Sequence, residues 1–156
     1  MGSRVKITVT SEGRRFEQML KELARMEVRI GFQQGEAAEE DGTDLCDIAM
    51  WNELGTEKIP ARPFLRKSVD ENTGVINTFL QAQKEDLLRG VSAEQVLKNI
   101  GLFQKDLIQE KMTNGSYAPN AVSTILKKGS SKPLIDTGRL RQSVNYVIQK
   151  KGVGNQ

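Results

Sequence analysis

The sequence predicts an α+β domain in which a small, mainly antiparallel sheet packs against two or three helices, including long ones. Short stretches near both ends of the chain alternate apolar and polar side chains, which is typical of half-buried strands. Residues 64–114 instead repeat apolar side chains at helical spacing. The chain has 156 residues, enough for a single domain that buries about 68–70% of the surface its unfolded form exposes.

The N-terminal part predicts a strand, a helix and a second strand. Residues 5–9 alternate apolar and polar side chains, and Ser11 is a suitable N-cap for a helix that runs to about Met26. A second alternating stretch follows at Val28, Ile30 and Phe32. The pattern alone leaves open whether this unit is a parallel crossover or an antiparallel arrangement.

An acidic loop and a short helix come next. Residues 33–44 contain glycines and acids but no large apolar side chain, which predicts a surface loop. Asp44 can cap a short helix, and Gly55 is placed to end it as a left-handed C-cap. Residues 59–63 contain two prolines, which exclude regular helix and central strand.

The second half of the chain is predicted to be mostly helical. The first long helix covers residues 64–89, with a bend at Gly74, and a second one begins at Ser92 and ends near Asn114. Residues 116–133 predict an extended loop because glycine, serine, asparagine and proline recur throughout it.

The C-terminal part predicts one helical turn and a closing strand. Asp136 or Thr137 can cap the turn, which runs through Arg141, and the alternating residues of the strand are Val144, Tyr146 and Ile148. Residues 1–150 therefore make one domain, and residues 151–156 are expected to be a frayed C-terminal tail.

The composition argues against most kinds of catalysis. The chain has no histidine and one cysteine, which excludes histidine-dependent triads, Cys-cluster metal sites and an intrachain disulfide framework. Cys46 lies beside Asp47, whose charge is expected to raise the thiol pKa, so a structural role is expected. The acids of residues 36–47 do not have the spacing of an EF-hand loop. We expect no enzyme activity, no cofactor and no metal.

Charge is distributed unevenly along the chain. Residues 31–57 carry eight acidic and no basic side chains, whereas residues 127–156 carry seven basic and one acidic. This separation predicts complementary surfaces on neighbouring copies, although ordinary solvated faces give the same pattern. A nucleic-acid-binding module that uses the basic C-terminal segment is the alternative, but only Tyr146 is available there for base stacking. No apolar run is long enough to cross a bilayer, so a soluble protein is expected.

Two stretches are distinctive as strings of residues. The first, residues 49–66, reads AMWNELGTEKIPARPFLR, and the second, residues 133–144, reads PLIDTGRLRQSV. The candidate interaction residues in the first string are Trp51, Asn52, Glu53, Gly55, Thr56, Ile59, Pro60, Ala61, Arg62, Pro63, Phe64, Leu65 and Arg66. Those in the second string are Leu134, Asp136, Thr137, Gly138, Leu140 and Ser143.

In this order, with helices between them, the two strings resemble the tail-completion, or neck, proteins of long-tailed bacteriophages and prophages. Members of that family, also described as minor tail or virion morphogenesis proteins, have N-E-[FL]-G-T followed by I-P-A-R-P-F-L-R and then L-x-D-T-G-x-L-x-x-S-[IV]. Leu54 stands where the family usually has phenylalanine. The resemblance covers most of residues 1–150, and residues 33–44 and the last residues match nothing.

The resemblance implies a structural virion protein that forms a ring, sixfold in the virion, in the neck or tail top. Such a subunit completes the tail and mediates head–tail joining. Its implied partners are further copies of itself and other neck, connector or tail-terminator proteins, with a passing contact with DNA and none with a membrane. The implied location is the virion, after assembly in the cytoplasm of the bacterial host.

Physical chemistry predicts roles for the same residues. Asn52, Glu53 and Thr56 can bond backbone groups around the Gly55 turn, while the prolines hold the next segment extended. Phe64 and Leu65 are expected to anchor the following helix, with Arg62 and Arg66 near Glu53 or Glu57. The second string predicts a capped turn with Leu140 packed inward. For both strings, a purely local structural role and a contact with another subunit remain open.

Overall fold

The computed structural model describes residue 2, residues 4–117 and residues 138–153. The described part of the chain contains one two-stranded antiparallel sheet and six helices, which confirms the α+β class. In chain order the elements are α1 (Ser11–Arg25), β1 (Met26–Gly31), α2 (Leu45–Leu54), α3 (Phe64–Asp70), α4 (Thr73–Leu88), α5 (Ala93–Asn114), α6 (Arg139–Gln142) and β2 (Asn145–Lys150).

The sheet joins the two ends of the domain. Strands β1 and β2 pair antiparallel, with Val28 opposite Ile148 and Ile30 opposite Tyr146, so these four apolar side chains share one face. Helix α5 packs on that sheet. Its Gly101 lies so close that a Cβ there would be 2.6 Å from the Tyr146 ring. The alternating patterns of the sequence thus predicted both strands of this sheet.

The predicted first strand is wrong. Residues 4–10 form no strand, and the side chains of Val5 and Ile7 are 84% and 83% exposed. Alternation makes a segment suitable for a sheet, but a strand also needs a neighbour to satisfy its backbone groups. The N-cap of α1 is Thr10, whose hydroxyl accepts from the Gly13 amide at 3.1 Å, rather than the expected Ser11.

The predicted helix over residues 64–89 is two helices, and the break lies before Gly74. Helix α3 ends at Asp70 and α4 begins at Thr73. The Asn72 side chain donates to the Ser68 carbonyl, and the Thr73 hydroxyl lies within hydrogen-bond distance of the Val69 and Asp70 carbonyls. These polar side chains compete with backbone amides for helical carbonyls, and such competition favours a helix end.

Helix α5 is the central element of the domain. Ser92 caps it as predicted, because its hydroxyl accepts from the Gln95 amide at 3.1 Å. The reciprocal bond of a capping box is not made, since the Gln95 side chain donates to Asn99 instead. On its inner face, Ile108 and Met112 are almost completely buried.

The main hydrophobic core lies around the C-terminal half of α5. It joins buried side chains of α2, α3, α5 and α6 with the residue that precedes β2. Its members are Leu45, Ala49, Phe64, Ile108, Met112, Leu140 and Val144. In the described residues, no helix is long and apolar enough to span a membrane.

Candidate interaction surface

The first string forms the C-terminal half of α2, a tight turn and the start of α3. Gly55 ends α2 with φ 77° and ψ 164°, so the predicted positive φ is present but the ψ differs from that of a left-handed helical residue. A Cβ at this position would lie 2.9 Å from the Ala61 backbone nitrogen. Two independent constraints, the backbone angle and the close approach of Ala61, therefore require glycine.

Thr56 closes the loop that follows Gly55. Its hydroxyl accepts from the backbone amides of Lys58 at 3.2 Å and Ile59 at 3.0 Å. Its own amide donates to the Ile59 carbonyl at 2.8 Å. The predicted bonding of Thr56 to local backbone groups is confirmed, and it fixes a turn just before the two prolines.

Glu53 provides the cap that α3 lacks in its own sequence. The residue before α3 is Pro63, which has no side chain that can accept a hydrogen bond. The two carboxylate oxygens of Glu53 instead accept from the Leu65 amide at 2.8 Å and the Arg66 amide at 3.0 Å. A negative charge at the start of a helix is favourable, so Glu53 ties the end of α2 to the beginning of α3.

Asn52 and Arg62 form a second tie across the same turn. The Asn52 side-chain oxygen accepts from Arg62 Nη1 at 2.9 Å, and its amide nitrogen donates to the Ile48 carbonyl at 2.9 Å. The Arg62 amide also donates to the Asn52 carbonyl. Only 6% of Arg62 is exposed, and this burial lowers its pKa. The structure thus places Arg62 inside the turn beside Asn52.

Phe64 anchors the string in the core, as predicted. It is fully buried, and its ring meets that of Phe32 edge to face with centroids 5.9 Å apart. The next residue, Leu65, is half-buried against the same core. Ser68, one turn further along α3, is also fully buried and its hydroxyl accepts from Gln104 of α5 at 2.9 Å.

The second string packs against the same core as the first. Leu140 and Val144 are 3% and 1% exposed within the cluster that contains Phe64. The Ser143 hydroxyl donates to the Leu140 carbonyl at 2.8 Å. Gly138, with φ 78°, precedes α6. Leu134, Asp136 and Thr137 lie outside the described residues, as does most of the predicted loop over 116–133, so the predicted cap of this turn stays a prediction.

Not every residue of the first string faces the core. Met50, Trp51 and Leu54 are 50%, 38% and 72% exposed, on the side of α2 opposite the buried Leu45 and Ala49. We call these three exposed side chains the α2 patch. Sequence reasoning singled out Trp51 but missed Met50 and Leu54 as candidates. Their helical spacing relative to the buried pair was the signal that could have found them.

The acidic loop contacts the second string within the same chain. Arg139 lies 3.7 Å from the carboxylate of Glu39 and 3.2 Å from that of Glu40. Lys127, Lys128 and Lys132, the first basic residues of the C-terminal segment, lie outside the described residues. Part of the opposite charge predicted to attract a neighbouring copy is thus paired inside one subunit.

Cys46 has the setting of a structural residue. Its sulfur is 3.8 Å from the Phe32 carbonyl oxygen, and burial, followed by the charges of Asp44 and Asp47, raises the pKa of the thiol. A raised pKa lowers the thiolate fraction at neutral pH. Within residues 4–117 and 138–153, no cluster of three or more acidic, cysteine or histidine side chains could hold a metal ion.

The arrangement defines a rigid, doubly tied turn that carries an apolar patch on its outer side, a combination suited to contact with another protein. Comparisons with models of known protein families, with curated proteins and with solved structures gave no match. The resemblance of the two strings to phage tail-completion proteins is therefore carried by the sequence alone.

Proposed function

We propose that this protein is a structural virion subunit of a long-tailed phage or prophage. In this proposal it forms a ring in the neck or tail top, completes the tail and mediates head–tail joining. It assembles in the host cytoplasm and binds further copies of itself together with neck, connector or tail-terminator proteins. The two sequence strings supply the family, and the exposed α2 patch supplies the surface.

The observation that carries this proposal is the α2 patch, which lies beside the turn between α2 and α3 that Glu53 and Asn52 hold in place. Tryptophan is enriched among the residues that dominate binding energy in protein interfaces, and an exposed one beside Met50 and Leu54 gives an apolar centre for a contact. The bonds of Glu53 and Asn52 across the turn hold the support rigid. A preorganised surface loses little conformational freedom on binding, which favours association.

The same geometry is compatible with the two roles that the sequence left open. Phe64 and Leu140 serve packing inside the subunit, whereas Trp51 and Leu54 leave apolar area uncovered within it. Some residues of the two strings therefore serve packing within the subunit, and others remain available for contact with another protein. No specific observation favours the nucleic-acid-binding alternative. Among the described basic residues of the C-terminal segment, Arg139 is paired with acids of its own chain, whereas Arg141, Lys150 and Lys151 are exposed.

The test uses particles produced by cells that carry the parental phage genome. Purified particles are analysed by quantitative mass spectrometry and electron microscopy, with the wild-type gene, a null allele, Leu54→Lys and Leu88→Lys. We expect the wild-type protein in particles at the copy number of a ring, and unjoined heads and tails from the null allele. Leu54→Lys should reduce incorporation at least tenfold.

Leu88→Lys is the matched control. Both leucines are the last residue of a helix, and they are 72% and 62% exposed, so the same substitution has similar intrinsic cost at the two sites. A lysine at a helix C-terminus is also compatible with the helix dipole. Absence of the wild-type protein from particles would refute the function. Equal incorporation of the two variants would refute the role of the α2 patch.

A further inference from the structure

The N-terminal segment, residues 4–9, has the sequence pattern of a strand, but in the structure it is exposed and forms no regular secondary structure. Val5, Ile7 and Val9 alternate with polar residues and are 84%, 83% and 47% exposed. Isolated exposed apolar residues are common, but three that alternate with polar residues would form one apolar face if the segment became a strand. Such a segment is suited to pair with the open edge of a sheet.

The sheet of this protein offers such an edge. It has two strands only, and in the described part of the chain nothing pairs with the outer edge of β1. Strand β1 has six residues, and residues 4–9 match this length. The α5-facing side of β1 carries apolar Val28 and Ile30, so Val5, Ile7 and Val9 would continue the same apolar face.

The connections of α1 argue against pairing within one chain. Thr10 caps α1 directly after the segment, and β1 begins at Met26 directly after Arg25, so neither junction contains a loop. Crossovers that return a chain to its own sheet normally use loops of about 2–6 residues at each junction. One side of α1, which includes Phe16 and Met19, instead lines a groove with residues 87–93 at the α4–α5 turn. Short junctions of this kind favour exchange between copies.

Charge disfavours β2 as the acceptor strand. The segment carries Arg4 and Lys6, and the polar face of β1 carries Glu27 and Arg29, which pair with each other at 2.9 Å and so cancel in charge. The other strand, β2, ends at Lys150 and is followed by Lys151, both of which would repel the segment. Residues 4–9 are therefore repelled less by β1, whose two charges cancel, than by the basic end of β2.

We infer that residues 4–9 of one copy add as a strand to the outer edge of β1 of a second copy. The contact is heterologous, because each copy gives its segment to one neighbour and accepts from another, and contacts of this type generate a ring where the rotation between copies closes. The inference rests on the proposed function, for which it supplies a subunit contact separate from the α2 patch. Each of the two contacts can fail without the other.

The test compares Ile7→Lys with Thr8→Lys in the full chain. Neighbouring residues of a strand point to opposite faces, so the same lysine falls on the apolar side in the first variant and on the polar side in the second. Association is measured by sedimentation across a wide concentration range. We expect the wild type to self-associate, Ile7→Lys to weaken the association constant at least tenfold and Thr8→Lys to change it less than twofold.

Hydrogen exchange identifies the acceptor. On association, amides of residues 4–9 and 26–31 should gain protection in the wild type but not in Ile7→Lys, and those of residues 145–150 should not change. Thermal melts should show equal folding of the two variants, since both positions lie outside the core. A wild type that stays monomeric, equal association of the two variants, or protection at β2 instead of β1 would overturn the inference. Normal incorporation of Ile7→Lys into particles would overturn it while leaving the proposed function intact.

Discussion

Replacing Glu53 by alanine should destabilise the domain by about 2 kcal/mol. The carboxylate makes two bonds to the first turn of α3, at 2.8 Å and 3.0 Å, and the helix has no other side-chain cap. Loss of an N-cap costs about 0.5–2 kcal/mol, and a bond to a charged group contributes about 1.5–3 kcal/mol when it is shielded from water. The first bond is partly buried and the second exposed, which places the sum near the upper end of the capping range.

Equilibrium urea unfolding measures this change. The single tryptophan, Trp51, lies two residues from Glu53 and reports the α2–α3 region, while far-UV circular dichroism reports all helices. A loss of about 2 kcal/mol corresponds to a fall in Tm of roughly 4–8 °C for a chain of this length. Glu53→Gln retains one acceptor oxygen and should lose about half as much.

Glu57→Ala is the control for Glu53→Ala. Glu57 belongs to the same turn and carries the same charge, but it is exposed. Its replacement should change the free energy of unfolding by less than about 0.5 kcal/mol, as exposed substitutions usually do. A Glu53→Ala variant that differs from the wild type by no more than Glu57→Ala would refute the capping role.

Two further predictions concern the backbone and the response to pH. Gly55→Ala should lower the free energy of unfolding, measured in urea, by at least about 1 kcal/mol more than Gly35→Ala does. Both glycines have φ near 80°, which costs alanine about 1–2 kcal/mol. Only at Gly55 would the added Cβ also collide with backbone atoms. Equal losses would contradict the close approach. Burial raises the pKa of Tyr117 to about 12, above its value of about 10 in the unfolded chain. The stability that the neutral phenol contributes is therefore present below pH 10 and is lost as the pH rises to 12. Thermal melts between pH 9 and 12 should fall less steeply for Tyr117→Phe, and identical slopes would rule this out.

The features that sequence predicted correctly are those decided within a few residues. The caps at Asp44 and Ser92 and the bonds of Thr56 depend on side chains that reach their own neighbouring amides. The positive φ of Gly55 was predicted from its place after a helix, although its ψ of 164° is not that of a left-handed helical residue. Such local geometry follows from residue type and spacing, and the rest of the fold has little influence on it.

The features that sequence missed depend on distant partners. Residues 4–9 have the pattern of a strand, yet a strand forms only where an edge is available, and alternation carries no information about that edge. The break between α3 and α4 was assigned to Gly74, whereas side-chain bonds of Asn72 and Thr73 accompany it. The presence of Phe64 and Leu140 in one core could not be predicted, because they are far apart in the chain and both pack around α5.

The charge separation along the chain acquires a smaller role than the sequence suggested. Arg139 is paired with Glu39 and Glu40 inside one subunit, so these acids are partly neutralised before any neighbour arrives. Exposed ion pairs contribute only about 0–1 kcal/mol each, and salt screens them. In the proposed ring, affinity therefore has to come from apolar area, which the α2 patch and residues 4–9 supply. The remaining charges orient the copies and set the rate at which they meet.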